Sequence, residues 1–303
     1  MKPHVLWQKP LLLRPRDTVH VIAPAGPFDR PGFEAGLALI SQRYTPVFRP
    51  DIYESHRYLA GEDPRRQEEF SRALLDSGAR AVFCARGGYG SMRLLPDLPL
   101  DESAPPVLVG FSDITAVHMA MQAVHRVSIH GPVLTQFGRQ PSDVHERLFR
   151  MLESPEPPPP LTGNATFVPG IAEGPLIGGN LSLVTRLLGT PYMPSLDGAV
   201  LLLEDIGERP YRLDRMWTHL RLAGAFERLS GIVLGDFTDC EEKNGAYTSA
   251  DVLRSLAEET GLPCAAGFPI GHGALNYPVP LGTLVRLDAG EARLTFLEGA
   301  VSE

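Results

Sequence analysis

The sequence predicts an α/β protein in two parts: an N-terminal domain on a parallel sheet, residues 1–153, and a β-rich α+β C-terminal domain, residues 175–303, joined by a Pro-rich linker over 154–174. Three observations carry this. Short apolar runs alternate with helical patterns through the first half, as strand–helix–strand units require. The run Ser154-Pro155-Glu156-Pro157-Pro158-Pro159-Pro160 is too stiff to continue a helix and marks a boundary. The chain closes on segments that alternate apolar and polar residues, the period of a half-buried strand.

Residues 19–23 read as the first strand, and Phe33, Leu37 and Ile40 recur on one face of a helix over 33–40. Asp63-Pro64 predicts a helix start, with Asp capping free N–H groups and Pro in the first turn, where no donor is needed; the helix runs to about Leu75. Residues 81–85, 107–111 and 127–130 are further buried strands, separated by helical stretches such as 114–124. Such sheets present ligands at the carboxyl ends of their strands. Beyond the linker, 199–203 and 231–234 are buried strands flanking a helix whose Leu213, Met216, Trp217 and Leu220 share a face. Residues 283–287 and 293–297, joined through Asp288-Ala289-Gly290-Glu291, form a closing hairpin. No internal repeat is evident.

Composition narrows the function classes. The chain has 303 residues and a formal charge of −8, which argues against a nucleic-acid partner. Its 43% hydrophobic and 21% charged residues suit a globular protein with a large core. Glycine and proline, 30 and 29 residues, require many sharp turns and exclude a coiled coil. Cys84, Cys240 and Cys264 are odd in number and far apart, so neither a disulfide framework nor a Cys-rich zinc site is indicated, and a reducing compartment is expected. Lys2 imitates the basic start of an export signal, but Gln8, Lys9 and Pro10 interrupt the apolar stretch that follows. The region 107–124 contains Asp113 and His118, and no run of about 18 apolar residues occurs. The expectation is a cytoplasmic protein with no membrane partner.

Four features bear on chemistry. In Val107-Leu108-Val109-Gly110-Phe111-Ser112-Asp113-Ile114-Thr115 a buried strand turns at Ser112 into a helix, holding a hydroxyl where free N–H groups stabilise negative charge. The geometry is that of a nucleophile elbow without the second glycine of GxSxG, and spacing alone leaves simple N-capping as an alternative. Arg86-Gly87-Gly88-Tyr89-Gly90-Ser91 follows a strand and lets backbone amides approach a ligand; an oxyanion cradle and an ordinary tight turn stay open, while a dinucleotide site would want GxGxxG after the first strand. Leu203-Glu204-Asp205 brings a carboxylate to the end of an apolar strand, where it needs either a histidine or a salt bridge to Arg209, Arg212 or Arg215. His272, in Gly271-His272-Gly273, is the histidine best placed in a tight loop; His118 and His125, seven apart, suit packing on one helix. There is no HExxH motif, and no metal is expected. Ser112, Glu204 and His272 thus supply a nucleophile, an orienting carboxylate and a base.

These motifs, with Ala60-Gly61-Glu62-Asp63-Pro64-Arg65, His130-Gly131-Pro132, Gly178-Gly179-Asn180-Leu181 and Gly189-Thr190-Pro191-Tyr192, make the chain resemble the serine LD-carboxypeptidases over nearly its whole length. That family includes muropeptide carboxypeptidases and microcin C7 immunity carboxypeptidases. The resemblance implies Ser112 as nucleophile, His272 as general base and Glu204 as its orienting residue, with the backbone N–H groups of Gly88 and Asp113 as oxyanion hole. It also implies a site assembled between the two domains, no cofactor, a homodimer, and hydrolysis of the L,D-bond to the terminal D-alanine of a murein tetrapeptide. Arg86 and Asn180 are candidates for the substrate's polar groups. Phe111 stands where the family usually has Tyr, keeping the ring without its hydroxyl. The alternatives are a microcin-type peptidyl-nucleotide substrate and a non-catalytic protein that binds cell-wall peptides.

Overall fold

The computed structural model describes residues 7–100, 106–242 and 245–303; Lys2 of the export-signal reading lies outside them. The first half lays down β1 (Thr18–Ile22), β2 (Thr45–Val47), β3 (Ala79–Cys84), β4 (Val107–Gly110) and β5 (Ser128–His130). Short strands β6 (Leu161–Thr162) and β7 (Ala165–Val168) follow, then β8 (Ile171–Asn180), β9 (Val200–Ile206), β10 (Gly231–Thr238), β11 (Cys264–Ala266), β12 (Val279–Leu281), β13 (Leu284–Asp288) and β14 (Arg293–Phe296). The stretch 154–174 therefore carries β6, β7 and the start of β8 as well as its prolines.

Two sheets result, ordered β12-β5-β4-β3-β1-β2 and β6-β14-β13-β8-β9-β10-β11-β7. In the first, β1 to β5 pair in parallel as the strand–helix alternation predicts, and β12, from late in the chain, adds an antiparallel edge through Val279 opposite His130. The second is mixed, with β8, β9, β10 and β11 parallel and the closing hairpin antiparallel, Val285 opposite Phe296. The mixture places the carboxyl end of β9 beside the carboxyl end of β8.

Side chains alternate across each pleat, so strands covered on both faces are apolar throughout. On β4, Val107 and Val109 join a core with Phe33 and Phe137, whereas Leu108 faces a second core with Val117 and Met119. That second core continues without a break into Leu181, Val184, Leu201, Leu203 and Trp217 of the later half. Val200 and Leu202 face a third core with Val285 and Phe296. One apolar layer is thus common to both halves, and it fixes their relative position.

Two local readings are corrected. The helix α1 (Arg30–Ser41) is capped by Asp29, whose carboxylate accepts from Gly32 N–H. In α2 (Asp63–Leu75), by contrast, Glu62 is the cap residue and gives no side-chain bond; Asp63 is already inside the helix, and its carboxylate is taken by Arg66 and Arg93. The helix α3 (Thr115–Ala123) ends before His125, which packs edge-on against Trp7 at 5.5 Å, so His118 and His125 do not share a helix.

Trp217 is 1% exposed and stacks on Phe226 at 4.8 Å in the shared core. Trp217→Ala is expected to cost about 3–5 kcal/mol, measured by urea denaturation, because a large void opens in the shared core.

Candidate active site

At the carboxyl end of β4 the chain turns sharply, and Ser112 takes φ +63°, a left-handed conformation that a side chain disfavours. Such a residue costs on the order of 1–3 kcal/mol and persists only where its surroundings hold it. They do so from three sides. The Gly110 carbonyl accepts from Gly131 N–H at 3.0 Å and from His118 Nε2 at 2.8 Å. Because a carbonyl only accepts, His118 carries its proton on Nε2, and its Nδ1 takes the Ser128 hydroxyl at 2.8 Å. Burial pushes the His118 pKa down to about 4, so the brace stays neutral. Gly87 crosses directly over the turn, where a Cβ would lie 2.8 Å from that of Ser112. Finally, Ser91 N–H donates to Asp113 Oδ2 at 2.8 Å and Ser91 Oγ–H to the Asp113 carbonyl at 2.6 Å, tying the glycine-rich loop to the turn.

Ser112 is therefore not a capping serine. Its Oγ–H donates to His272 Nε2 at 3.1 Å, across 160 residues of sequence, and His272 Nδ1–H donates to Glu204 Oε2 at 2.6 Å. The salt-bridge alternative for Glu204 fails, since Arg209 pairs with Glu242, Arg212 with Glu208, and Arg215 lies over the Tyr211 ring. Glu204 is fully buried at the end of β9. Its neighbour Asp205 faces the other way and is saturated by Asn180 Nδ2, Ser182 N–H and Oγ–H, and Ile206 N–H, at 2.8–3.0 Å. The His272 loop is held by Gly271 N–H to Asn276 Oδ1 and by Asn276 N–H to Gln140 of the first half, each 3.0 Å.

Burial disfavours the charged form of both relay partners. Desolvation raises the Glu204 pKa, and the His272 hydrogen bond pulls it back only in part. At His272 desolvation acts downward, but the Glu204 hydrogen bond and charge, with Asp205 and Asp236, outweigh it and leave the imidazole above its ordinary 6.5.

The remaining predicted residues lie around this relay. Gly88 is exposed with φ +105°, one residue beyond the glycine that covers Ser112. Arg86 is exposed, and its guanidinium donates to the Pro27 carbonyl rather than to a carboxylate. Asn180 is buried; its Oδ1 accepts from Leu183 N–H at 3.3 Å, and its Nδ2 donates to Asp205 and also supports the Glu204 carboxylate. The Asn180 backbone N–H crosses to Thr115 Oγ1 at 3.0 Å. Sequence reasoning passed over Ser91, His118 and Thr115 as structural elements of the turn, and it passed over Asp236. Asp236 closely follows the apolar run Ile232-Val233-Leu234 within β10, the same signal that singled out Glu204.

A hydroxyl on a strained strand–helix turn, hydrogen-bonded to an imidazole that a buried carboxylate orients, is the relay of serine hydrolases. The chain belongs to the LD-carboxypeptidase family: the model of that family's N-terminal domain matches residues 19–131 and that of its C-terminal domain residues 173–287. The murein tetrapeptide carboxypeptidase of Pseudomonas aeruginosa is 35% identical over 296 residues, covering 91% of this chain and 94% of that protein. The crystal structure of muramoyltetrapeptide carboxypeptidase from Oxalobacter formigenes matches with a TM-score of 0.85 at 26% identity, over 94% of this chain and all of that one. The microcin C7 self-immunity protein MccF of Escherichia coli is 27% identical, covering 88% of this chain and 86% of that protein; its wild-type structure has the same fold, with a TM-score of 0.89 over 97% of this chain.

The sign of the His272 shift is testable by NMR. The imidazole should titrate above 6.5 in the wild-type protein, and in Glu204→Gln the midpoint should fall, because burial then acts without the opposing carboxylate.

Proposed function

We propose that this chain is a serine carboxypeptidase that hydrolyses the L,D-bond to the terminal D-alanine of murein tetrapeptides. The observation that carries the reading is the continuous Ser112–His272–Glu204 relay, supported by the names of the P. aeruginosa and O. formigenes relatives. In this mechanism His272 Nε2 takes the Ser112 proton as Oγ attacks the scissile carbonyl. The N–H groups of Gly88 and Asp113 receive the developing oxyanion, each worth about 3 kcal/mol. The His272 proton then passes to the departing D-alanine nitrogen, and a water activated by the same imidazole releases the acyl group from Ser112. Glu204 stays ionised throughout, fixing the Nδ1–H tautomer. Every group required is a side chain or a backbone amide, so no cofactor enters.

A carboxypeptidase must recognise a terminal carboxylate. Arg86 suits that role, since it is exposed, adjoins the glycine over Ser112 and is held by a carbonyl rather than an acid. The reading includes two units, 1–153 and 175–303, separated by 154–174, whose facing edges form the cleft. It also includes a cytoplasmic, homodimeric enzyme; three unpaired, buried thiols fit a reducing compartment, and the dimer follows the family resemblance. Among the described residues no helix is long and apolar enough to cross a membrane. A peptidyl-nucleotide substrate is the second reading. It draws on MccF, which at 27% identity is more distant than the murein tetrapeptide carboxypeptidase at 35%.

Mass spectrometry of a disaccharide-free tetrapeptide should show loss of one alanine with the wild-type enzyme. Ser112→Ala and His272→Ala should each lower kcat by about 10⁴-fold or more; the thermal melt should be kept in Ser112→Ala and lowered in His272→Ala, which leaves the buried Glu204 without its partner. No alanine loss with wild type, alongside cleavage of a peptidyl-nucleotide, would transfer the assignment to the second reading. Arg86→Gln should raise KM about 10–100-fold with little change in kcat, the size of one charge-assisted hydrogen bond.

A further inference from the structure

Next to the catalytic loop lies a carboxylate, Asp236, that makes no hydrogen bond to the relay and acts on His272 only through space. Where β10 pairs with β9, the register slips between Leu234 and Phe237, so Gly235 and Asp236 form an irregularity at the strand's carboxyl end. Bulges of this kind re-aim a side chain and recur beside active sites. Here the slip turns Asp236 toward the catalytic loop. Its backbone N–H donates to the Ile270 carbonyl at 2.9 Å, and its carboxylate lies so close to Gly273, the residue after His272, that a methyl group there would overlap it.

Three carboxylates thus gather at this end of the second sheet, and their occupancies differ. Glu204 is spent on His272, and Asp205 on Asn180, Ser182 and its own neighbour's amide. Asp236 is half-buried and takes only the Gly273 amide; no lysine or arginine among the described residues pairs with it. A half-buried carboxylate beside a reacting centre, with no lysine or arginine partner among the described residues and the His272 imidazole acting on it only through space, is favourable when a ligand brings a cation into direct contact. Resting on the carboxypeptidase reading, we propose that Asp236 is a specificity-determining residue that receives the side-chain ammonium of the substrate's diamino acid. In a murein tetrapeptide that amine is the cationic group nearest the scissile bond, because the diamino acid is the residue acylated onto the serine. Arg86, next to the glycine over Ser112, and Asp236, next to the residue after His272, then suit a substrate with a carboxylate on the leaving side and an ammonium on the acyl side.

The test uses two disaccharide-free tetrapeptides that differ only at the third residue, L-lysine in one and Nε-acetyl-L-lysine in the other, with D-alanine release followed for the wild-type enzyme and for Asp236→Asn. The wild-type enzyme should prefer the lysine peptide about tenfold or more in kcat/KM. Asp236→Asn should cut that preference to within about threefold; any effect on the His272 imidazole acts on both peptides alike and leaves this ratio unchanged. Wild-type indifference to acetylation overturns the proposal without any variant being needed. So does a variant that keeps the preference, or one that loses both substrates equally with an unchanged melt, since that pattern belongs to a residue that merely holds Gly273. Release from neither peptide by the wild-type enzyme is a separate outcome, which overturns the carboxypeptidase reading and this proposal with it.

Discussion

Everything at the site depends on one contact across the gap between the halves, the 3.1 Å hydrogen bond from Ser112 to His272. It joins residues 160 apart in sequence, so its geometry cannot be set locally. The apolar core common to both halves sets it coarsely, from Val117 and Met119 to Leu181 and Trp217. Polar links then refine it: Asn180 N–H to Thr115, Asn276 N–H to Gln140, and Arg147 to the carbonyls of Pro278 and Pro159. Thr115 lies three residues after Ser112 and Asn180 stands opposite Glu204 in the β8–β9 pairing, so the bond between them sits beside the relay it stabilises. A displacement of about 1 Å there matters more than one elsewhere, since catalysis requires reacting groups in near-attack geometry.

The strain at Ser112 is the counterpart of that precision. A serine at φ +63° is unfavourable alone, and it is held because the Gly110 carbonyl before it is hydrogen-bonded to Gly131 and His118, while the glycine-rich loop over it is tied through Ser91 to Asp113 after it. His118 illustrates how a polar group can be buried for this purpose. A neutral imidazole with both nitrogens satisfied avoids the desolvation cost that a charged group would incur, and it fixes the end of β4 from behind. Strain of this kind, over-determined by its surroundings, is how a fold keeps a nucleophile exposed and ready.

Much of this was legible in the sequence because the signals were local. Strand β4 followed by Ser112 and a helical pattern, and the apolar run ending in Glu204, each state a position at a strand's carboxyl end. The strands of the first sheet followed from alternation, and the closing hairpin from its period of two. What escaped depends on partners distant in sequence. The antiparallel edge strand β12 reads as loop, since three residues with Pro280 in the middle and Pro278 just before carry no periodicity of their own. Asp63 resembled a cap because Asp before Pro is a good one, yet arginines from two turns competed for its carboxylate and won. The choice between a salt bridge and a histidine for Glu204 needed the fold, because His272 and the three nearby arginines were equally available on paper.

The relay also divides the work unequally between its two bonds. The short one, His272 to Glu204 at 2.6 Å, lies within the second half, where a fully buried carboxylate would otherwise bear a desolvation cost of several kcal/mol. Its partner is therefore thermodynamically committed, and the imidazole tautomer is settled before any ligand arrives. The longer bond, from Ser112, crosses the interface, where both groups retain some exposure. That asymmetry suits the chemistry: the bond that must never break is buried and strong, whereas the bond whose proton must move is the one the substrate reaches. Here the split of the relay between the halves puts the labile bond at their interface and the permanent one inside the second half.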